Sequence, residues 1–123
     1  MLKESIKYMD YNEVERTETF LFNLTRSEVT EMELSIEGGL VEKINRIIEK
    51  KDGAEIMKLF KEIILKSYGE KSPDGKQFIK SPELSLAFSQ TPAFDDLFMR
   101  LATNPDEAAT FINGVVPSAP KTN

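Results

Sequence analysis

Carboxylates are the side chains in this 123-residue chain best suited to acid–base chemistry, because the sequence contains no His and no Cys. They form a group around a Gly-Gly pair and two adjacent pairs further on: Glu31, Glu33, Glu37 and Glu42, then Asp95-Asp96 and Asp106-Glu107. Acidic residues in the first turn of a helix complement its dipole, so helix capping already explains the two later pairs. A catalytic pair would also need a pocket that perturbs its pKa values. The sequence therefore predicts no catalytic residue and no enzymatic activity.

Two glycine-containing segments could bind an ion or a phosphate. Asp74-Gly75 resembles the start of a calcium loop, but such a loop needs alternating oxygen ligands, and Lys76, Phe78 and Lys80 follow instead. Gly38-Gly39 has neither the spaced glycines nor the Lys of a phosphate-binding loop. We therefore expect no metal site and no cofactor.

Composition limits the classes of partner. The net charge is -5, with 21 acidic against 16 basic residues, which disfavours sequence-independent binding of nucleic acid. No apolar run approaches the roughly 18 residues of a membrane span, and the N-terminus lacks the core of a signal peptide. We expect a cytoplasmic protein that binds neither nucleic acid nor membrane.

The N-terminal segment, residues 1–22, predicts a β-hairpin. Phe20 and Phe22 alternate with polar residues in its second half, and the turn at residues 10–13 contains an Asp and an Asn. Residues 25–114 read as helical. Thr25 and Glu28 have the spacing of a capping box, and Gly38-Gly39 is expected to break the first helix.

Later helices are marked by caps and breaks. Gly69 is expected to end the third helix, and a turn should follow at residues 72–75. Three further helices should start at Ser81-Pro82, Thr91-Pro92 and Asn104-Pro105, because proline is favoured at the first helical position. The predicted fold is α+β and mainly α: a hairpin and about six short helices in one compact domain, residues 1–114. Residues 115–123 are predicted to form a flexible tail.

One apolar stripe allows two interpretations. The helix after Pro92 carries its apolar residues at helical spacing, with Phe88 just before it. Such a stripe either belongs to the core or forms part of an open groove for a partner helix. On the second interpretation, the candidate partner-binding residues are Phe88, Phe94, Leu97, Phe98, Met99 and Leu101.

Several segments are distinctive in sequence: residues 12–18 (NEVERTE), 20–25 (FLFNLT), 32–35 (MELS), 37–40 (EGGL), 63–69 (IILKSYG), 72–75 (SPDG), 78–84 (FIKSPEL), 87–91 (AFSQT), 97–102 (LFMRLA) and 111–114 (FING). Through them, nearly the whole chain resembles the tail assembly chaperones of long, flexible-tailed phages and prophages of Gram-positive bacteria. The resemblance implies a small, mainly helical protein without catalytic residues.

The resemblance also implies partners. Such chaperones cover the tape measure protein until tail tube protein displaces them, and the family often produces a longer, frameshifted form of the same protein. We thus expect a protein of the host bacterial cytoplasm that is absent from the mature virion. Independently of the resemblance, an open edge of the predicted hairpin would allow pairing with another copy, so we also expect that the chain can form homo-oligomers. The alternative is a structural virion protein of the tail or connector.

Overall fold

A computed structural model describes residues 1–50 and 53–117. Within these residues the chain forms four strands and six helices. In chain order they are β1 (Leu2–Met9), β2 (Glu15–Phe22), α1 (Arg26–Ser35), α2 (Leu40–Lys50), α3 (Gly53–Ser67), β3 (Tyr68–Lys71), β4 (Phe78–Ile79), α4 (Pro82–Ser89), α5 (Pro92–Thr103) and α6 (Pro105–Val115). The predicted α+β, mainly α fold with an N-terminal hairpin is confirmed.

The hairpin is fixed by its turn. β1 and β2 pair antiparallel without interruption, from Leu2 opposite Phe22 to Met9 opposite Glu15. Asp10 organises the connection, because its Oδ1 accepts the backbone N–H groups of Asn12 and Val14 at 2.8 and 2.9 Å. Glu13 adopts a left-handed conformation with φ of 62°. A three-residue loop ending in a left-handed residue matches the right-handed twist of the strands.

Gly69 has a different role from the predicted one. α3 ends at Ser67, close to the predicted end, but Gly69 lacks the positive φ of a glycine that ends a helix and lies in β3 instead. A Cβ atom at position 69 would lie 2.7 Å from the Ile79 carbonyl oxygen and 2.7 Å from the Phe78 ring. Glycine is therefore required by the close approach of β3 and β4. The four strands form one antiparallel sheet in the order β1-β2-β3-β4.

The predicted helix starts are confirmed. Side chains of the four N-cap residues Thr25, Ser81, Thr91 and Asn104 each accept the backbone N–H three residues later, at 3.1 to 3.2 Å. Proline follows three of these caps, as expected. The predicted break after α1 is also present, with φ of 82° at Gly38 and 88° at Gly39.

The core lies between the sheet and helices α3 to α6, and Leu40 and Ile47 of α2 extend it. Aromatic rings connect these elements: Phe22 meets Phe111 edge-on at 5.3 Å between centroids, and Tyr68 stacks on Phe88 at 4.2 Å. Phe88 in turn contacts Phe94 at 5.6 Å. Aromatic pairs in such geometries stabilise a core beyond the area they bury.

The predicted boundary between the folded domain and the C-terminal tail differs from the structure. α6 continues to Val115, which is buried and whose carbonyl accepts the Leu24 N–H at 3.1 Å. Gly114 lies inside this helix, where a Cβ would come within 2.8 Å of the Leu2 side chain. The tail predicted for residues 115–123 therefore begins too early. Its residues 118–123 lie outside the described part of the chain.

Candidate functional site

Several carboxylates that could have served chemistry form structural bonds instead. Glu33 Oε1 accepts the Leu40 N–H at 3.0 Å and so caps the start of α2. Asp95, Asp106 and Glu107 lie in the first turns of α5 and α6, where they complement the helix dipole. Among the described residues, no group of three or more acidic side chains could hold a metal ion.

The pKa directions agree with structural roles. The pKa of Asp74 is held below its usual value by the Lys76 N–H and the Ser72 hydroxyl, within the exposed turn before β4. Burial would raise the pKa of Glu28, but hydrogen bonds from Lys80 and the Thr25 N–H outweigh it, so this pKa is also lowered. Both groups stay ionised at neutral pH, which is the wrong state for a general acid.

The predicted partner-binding stripe is mostly core. Phe88, Phe94, Leu97 and Leu101 are all buried, with Leu97 only 1% exposed. The cause is the position of α5, which packs against α3, α4, α6 and β1. A partner could reach these four side chains only if the core opened. The burial of these four side chains agrees with the interpretation that the stripe belongs to the core.

The other two predicted residues lie at the edge of this core. Phe98 is partly buried and stacks on Phe94 with 5.7 Å between centroids. Met99 is 45% exposed. Partner binding by Phe98 and Met99 therefore remains a prediction.

α1 is attached to the rest of the fold in a different way. None of its ten residues is buried. Val29 and Met32, together with Ile36 just after the helix, pack against the core but are only partly covered. Leu34 is 84% exposed. A part-buried ion pair contributes to holding α1, since Lys80 Nζ lies 2.7 and 2.8 Å from the two Glu28 carboxylate oxygens.

A groove of about 500 Å³ lies where the end of α1 meets α2 and the start of α3. Its apolar part is formed by Ile36 and Ile47, and three cations of α2 line it. The full lining is Ser35, Ile36, Glu37, Lys43, Arg46, Ile47, Lys50 and Glu55. This arrangement can accept an apolar side chain and, beside it, an acidic group.

Sequence reasoning missed this groove, although one signal was present. Lys43, Arg46 and Lys50 are spaced three and four residues apart, which places them on one face of a helix. The spacing alone is equally typical of a solvated helix face. The structure adds the position of α2 next to the end of α1, which makes these three cations part of the groove lining.

A small helical domain with structural carboxylates and an open groove has the features of a binding protein. No helix in the described part of the chain has the length and apolar character to cross a membrane. The sequence model of a family described as phage tail assembly chaperone matches residues 1–121, and the chain belongs to that family. Neither the curated proteins nor the solved structures contain a match to this chain.

Proposed function

We propose that this protein binds the phage tape measure protein, keeps it soluble during tail morphogenesis and is released as the tail tube assembles. Membership of the tail assembly chaperone family supports this role. The observation that carries the proposal is the groove beside α1, which combines Ile36 and Ile47 with a basic wall.

The groove fits one recognised binding mode. A long helical protein exposes apolar stripes, and an amphipathic helix binds by inserting spaced apolar anchors into such a groove. Lys43, Arg46 and Lys50 would attract acidic residues beside that stripe. Leu34, which precedes the groove residue Ser35 in α1, is an exposed apolar side chain that a bound helix would also contact.

Release requires that each contact be weak. Many copies bound along one tape measure protein would retain it by avidity, while a single copy exchanges readily. Tail tube protein, added from one end, would then displace the copies one after another. A longer, frameshifted form of this chain would bind through the same groove and bring an additional domain to the assembly. On this proposal the protein acts in the host cytoplasm and is absent from the finished virion.

Co-expression with a tape measure fragment tests binding beside α1. We expect wild-type protein to raise the soluble fraction of the fragment and Leu34→Asp to abolish most of that effect. Leu86→Asp is the matched control, because Leu86 is 60% exposed on α4, away from the groove. Equal effects of the two variants would contradict binding beside α1.

A charge reversal tests the basic wall. Lys43→Glu combined with Arg46→Glu should weaken capture of the fragment by at least tenfold. The same reversal at Lys61 and Lys66, which are exposed on α3, should leave capture nearly unchanged. Mass spectrometry of purified virions distinguishes the alternative, a structural tail or connector protein, since that protein would be present in the particle.

A further inference from the structure

β1 forms a free edge of the sheet. Among residues 1–50 and 53–117, the strand order places β1 at one end, where it pairs with β2 alone over eight consecutive residues. The opposite edge is β4, which has two residues. An edge strand exposes unpaired backbone groups and can accept a further strand, and a two-residue edge offers too few of them.

The hydrogen-bonding pattern of the hairpin shows which backbone N–H and C=O groups of β1 do not bond to β2. The Asp10 N–H donates to the Val14 carbonyl at 2.9 Å, so these two residues form a hydrogen-bonded pair. Because such pairs alternate along antiparallel strands, Leu2, Glu4, Ile6 and Tyr8 bond to β2. The N–H and C=O groups of the intervening residues therefore point away from the sheet. Those residues are Lys3, Ser5, Lys7 and Met9, and their side chains are all exposed.

β1 has few of the features that commonly prevent an edge strand from pairing with another chain. β1 contains no Pro, and its pairing with β2 has no bulge. A charge on the inner face usually opposes pairing, but the inner-face Glu4 is already bound to Arg100 at 2.9 Å. Lys3 and Lys7 remain on the outer face, where an added strand leaves them in solvent. These lysines oppose pairing only where another lysine lies directly opposite.

We propose that two copies of this chain associate through β1, antiparallel, with Ile6 of one copy opposite Ile6 of the other. This inference rests on the sheet alone and is independent of the groove. The product would be one continuous eight-stranded sheet with a two-fold axis at Ile6.

Charge selects this register. Pairing centred on Ser5 would put Lys3 opposite Lys7, and pairing centred on Glu4 would put two Glu4 carboxylates opposite each other. Like charges directly opposite are destabilising. With Ile6 at the centre, Lys3 faces Met9 and Ser5 faces Lys7, while Glu4 faces Tyr8. No like charges then lie opposite, and each free backbone group of residues 3, 5, 7 and 9 finds a partner.

Removal of one outward donor tests the association. Ser5→Pro deletes an N–H that points away from β2, so the hairpin keeps its own bonds. In sedimentation velocity at rising concentration, we expect the wild type to shift from 14.0 kDa toward twice that mass. Ser5→Pro should remain at 14.0 kDa at every concentration, and Ser5→Ala should behave as the wild type does. A wild type that stays monomeric up to about 0.5 mM, a range in which weak edge pairing would be populated, overturns the proposal.

Cysteine cross-linking tests the register, because the natural chain has no Cys that could interfere. Opposed residues of a hydrogen-bonded pair have Cα atoms about 5.5 Å apart, within the range of a disulfide. A mixture of Ser5→Cys and Lys7→Cys chains should form a disulfide-linked dimer containing one chain of each kind under mild oxidation. Ser5→Cys alone should cross-link at least tenfold less. Efficient cross-linking of Ser5→Cys with itself would overturn the register centred on Ile6.

Discussion

α1 and α5 begin in the same way and differ in what they bury. Each starts at a Thr whose hydroxyl accepts the third backbone N–H at 3.1 Å, and their lengths are 10 and 12 residues. Nevertheless α5 buries four side chains and α1 buries none. A good cap therefore sets where a helix starts, while the surrounding packing sets how firmly it is held.

The difference suits a protein that must both persist and bind. α5 lies among α3, α4, α6 and β1, so it belongs to the cooperative core. α1 is held by partly covered contacts, the Glu28–Lys80 ion pair and the bond from the Leu40 N–H to Glu33. Elements with few buried contacts open at lower free energy than the whole domain, and binding regions are drawn from them. We therefore expect stability to be concentrated in α5 and adaptability in α1.

The largest expected effect comes from deleting core volume. Leu97→Ala should lower the free energy of unfolding by about 3 kcal/mol, because Leu97 is almost completely buried and leaves a cavity. Met32→Ala, on the partly covered face of α1, should cost about 1 kcal/mol. Urea unfolding followed by circular dichroism measures both. Equal costs would show that α1 is as firmly packed as α5.

A second expected effect concerns the sheet that supports the core. Gly69→Ala should cost about 2 kcal/mol, since its Cβ would meet the Ile79 carbonyl oxygen, a backbone atom that cannot rotate away. Gly53→Ala is the matched control, because a Cβ there meets no atom of the described residues within 4 Å. If Gly69→Ala were neutral in urea unfolding, the close approach of β3 and β4 would not constrain position 69.

The sequence was informative where the signal is local. The hairpin, the capping box at Thr25 and the proline-initiated helices were all predicted from short patterns, and the structure has them. The short β3 was not, because Tyr68 and Gly69 also fit the end of a helix, and only pairing with β2 decides between them. The core role of Phe94 and Leu97 was left open for the same reason. Burial depends on which elements meet, and spacing along one helix does not contain that information.

An intermediate effect is expected from the ion pair that holds α1. Lys80→Met should lower stability by about 1 kcal/mol at pH 6.5, because Glu28 keeps its capping bond but loses its cation. The folded-state pKa of Glu28 lies below its unfolded value, so this contribution is present above about pH 4.3. It is lost as the pH falls through the folded-state pKa.

The pH dependence of the Glu28–Lys80 contribution can be measured by urea unfolding. The difference in urea midpoint between wild type and Lys80→Met should be largest near pH 6.5 and should shrink at pH 3. Lys66→Met serves as a control, since Lys66 is exposed on α3. A difference that grows on acidification would show that another group, rather than Glu28, is the partner of Lys80.

The smallest effects on stability separate the two binding predictions. Leu34→Asp and Met99→Asp should each lower the free energy of unfolding by at most about 1 kcal/mol, because both side chains have large exposed fractions and the main cost is an acidic group near a helix C-terminus. Their effects on tape measure capture should differ. If binding lies beside α1, only Leu34→Asp loses capture. If the edge of the α5 stripe binds instead, Met99→Asp loses capture while Leu34→Asp retains it. Because both variants stay folded, loss of capture in either one assigns binding to α1 or to α5 directly.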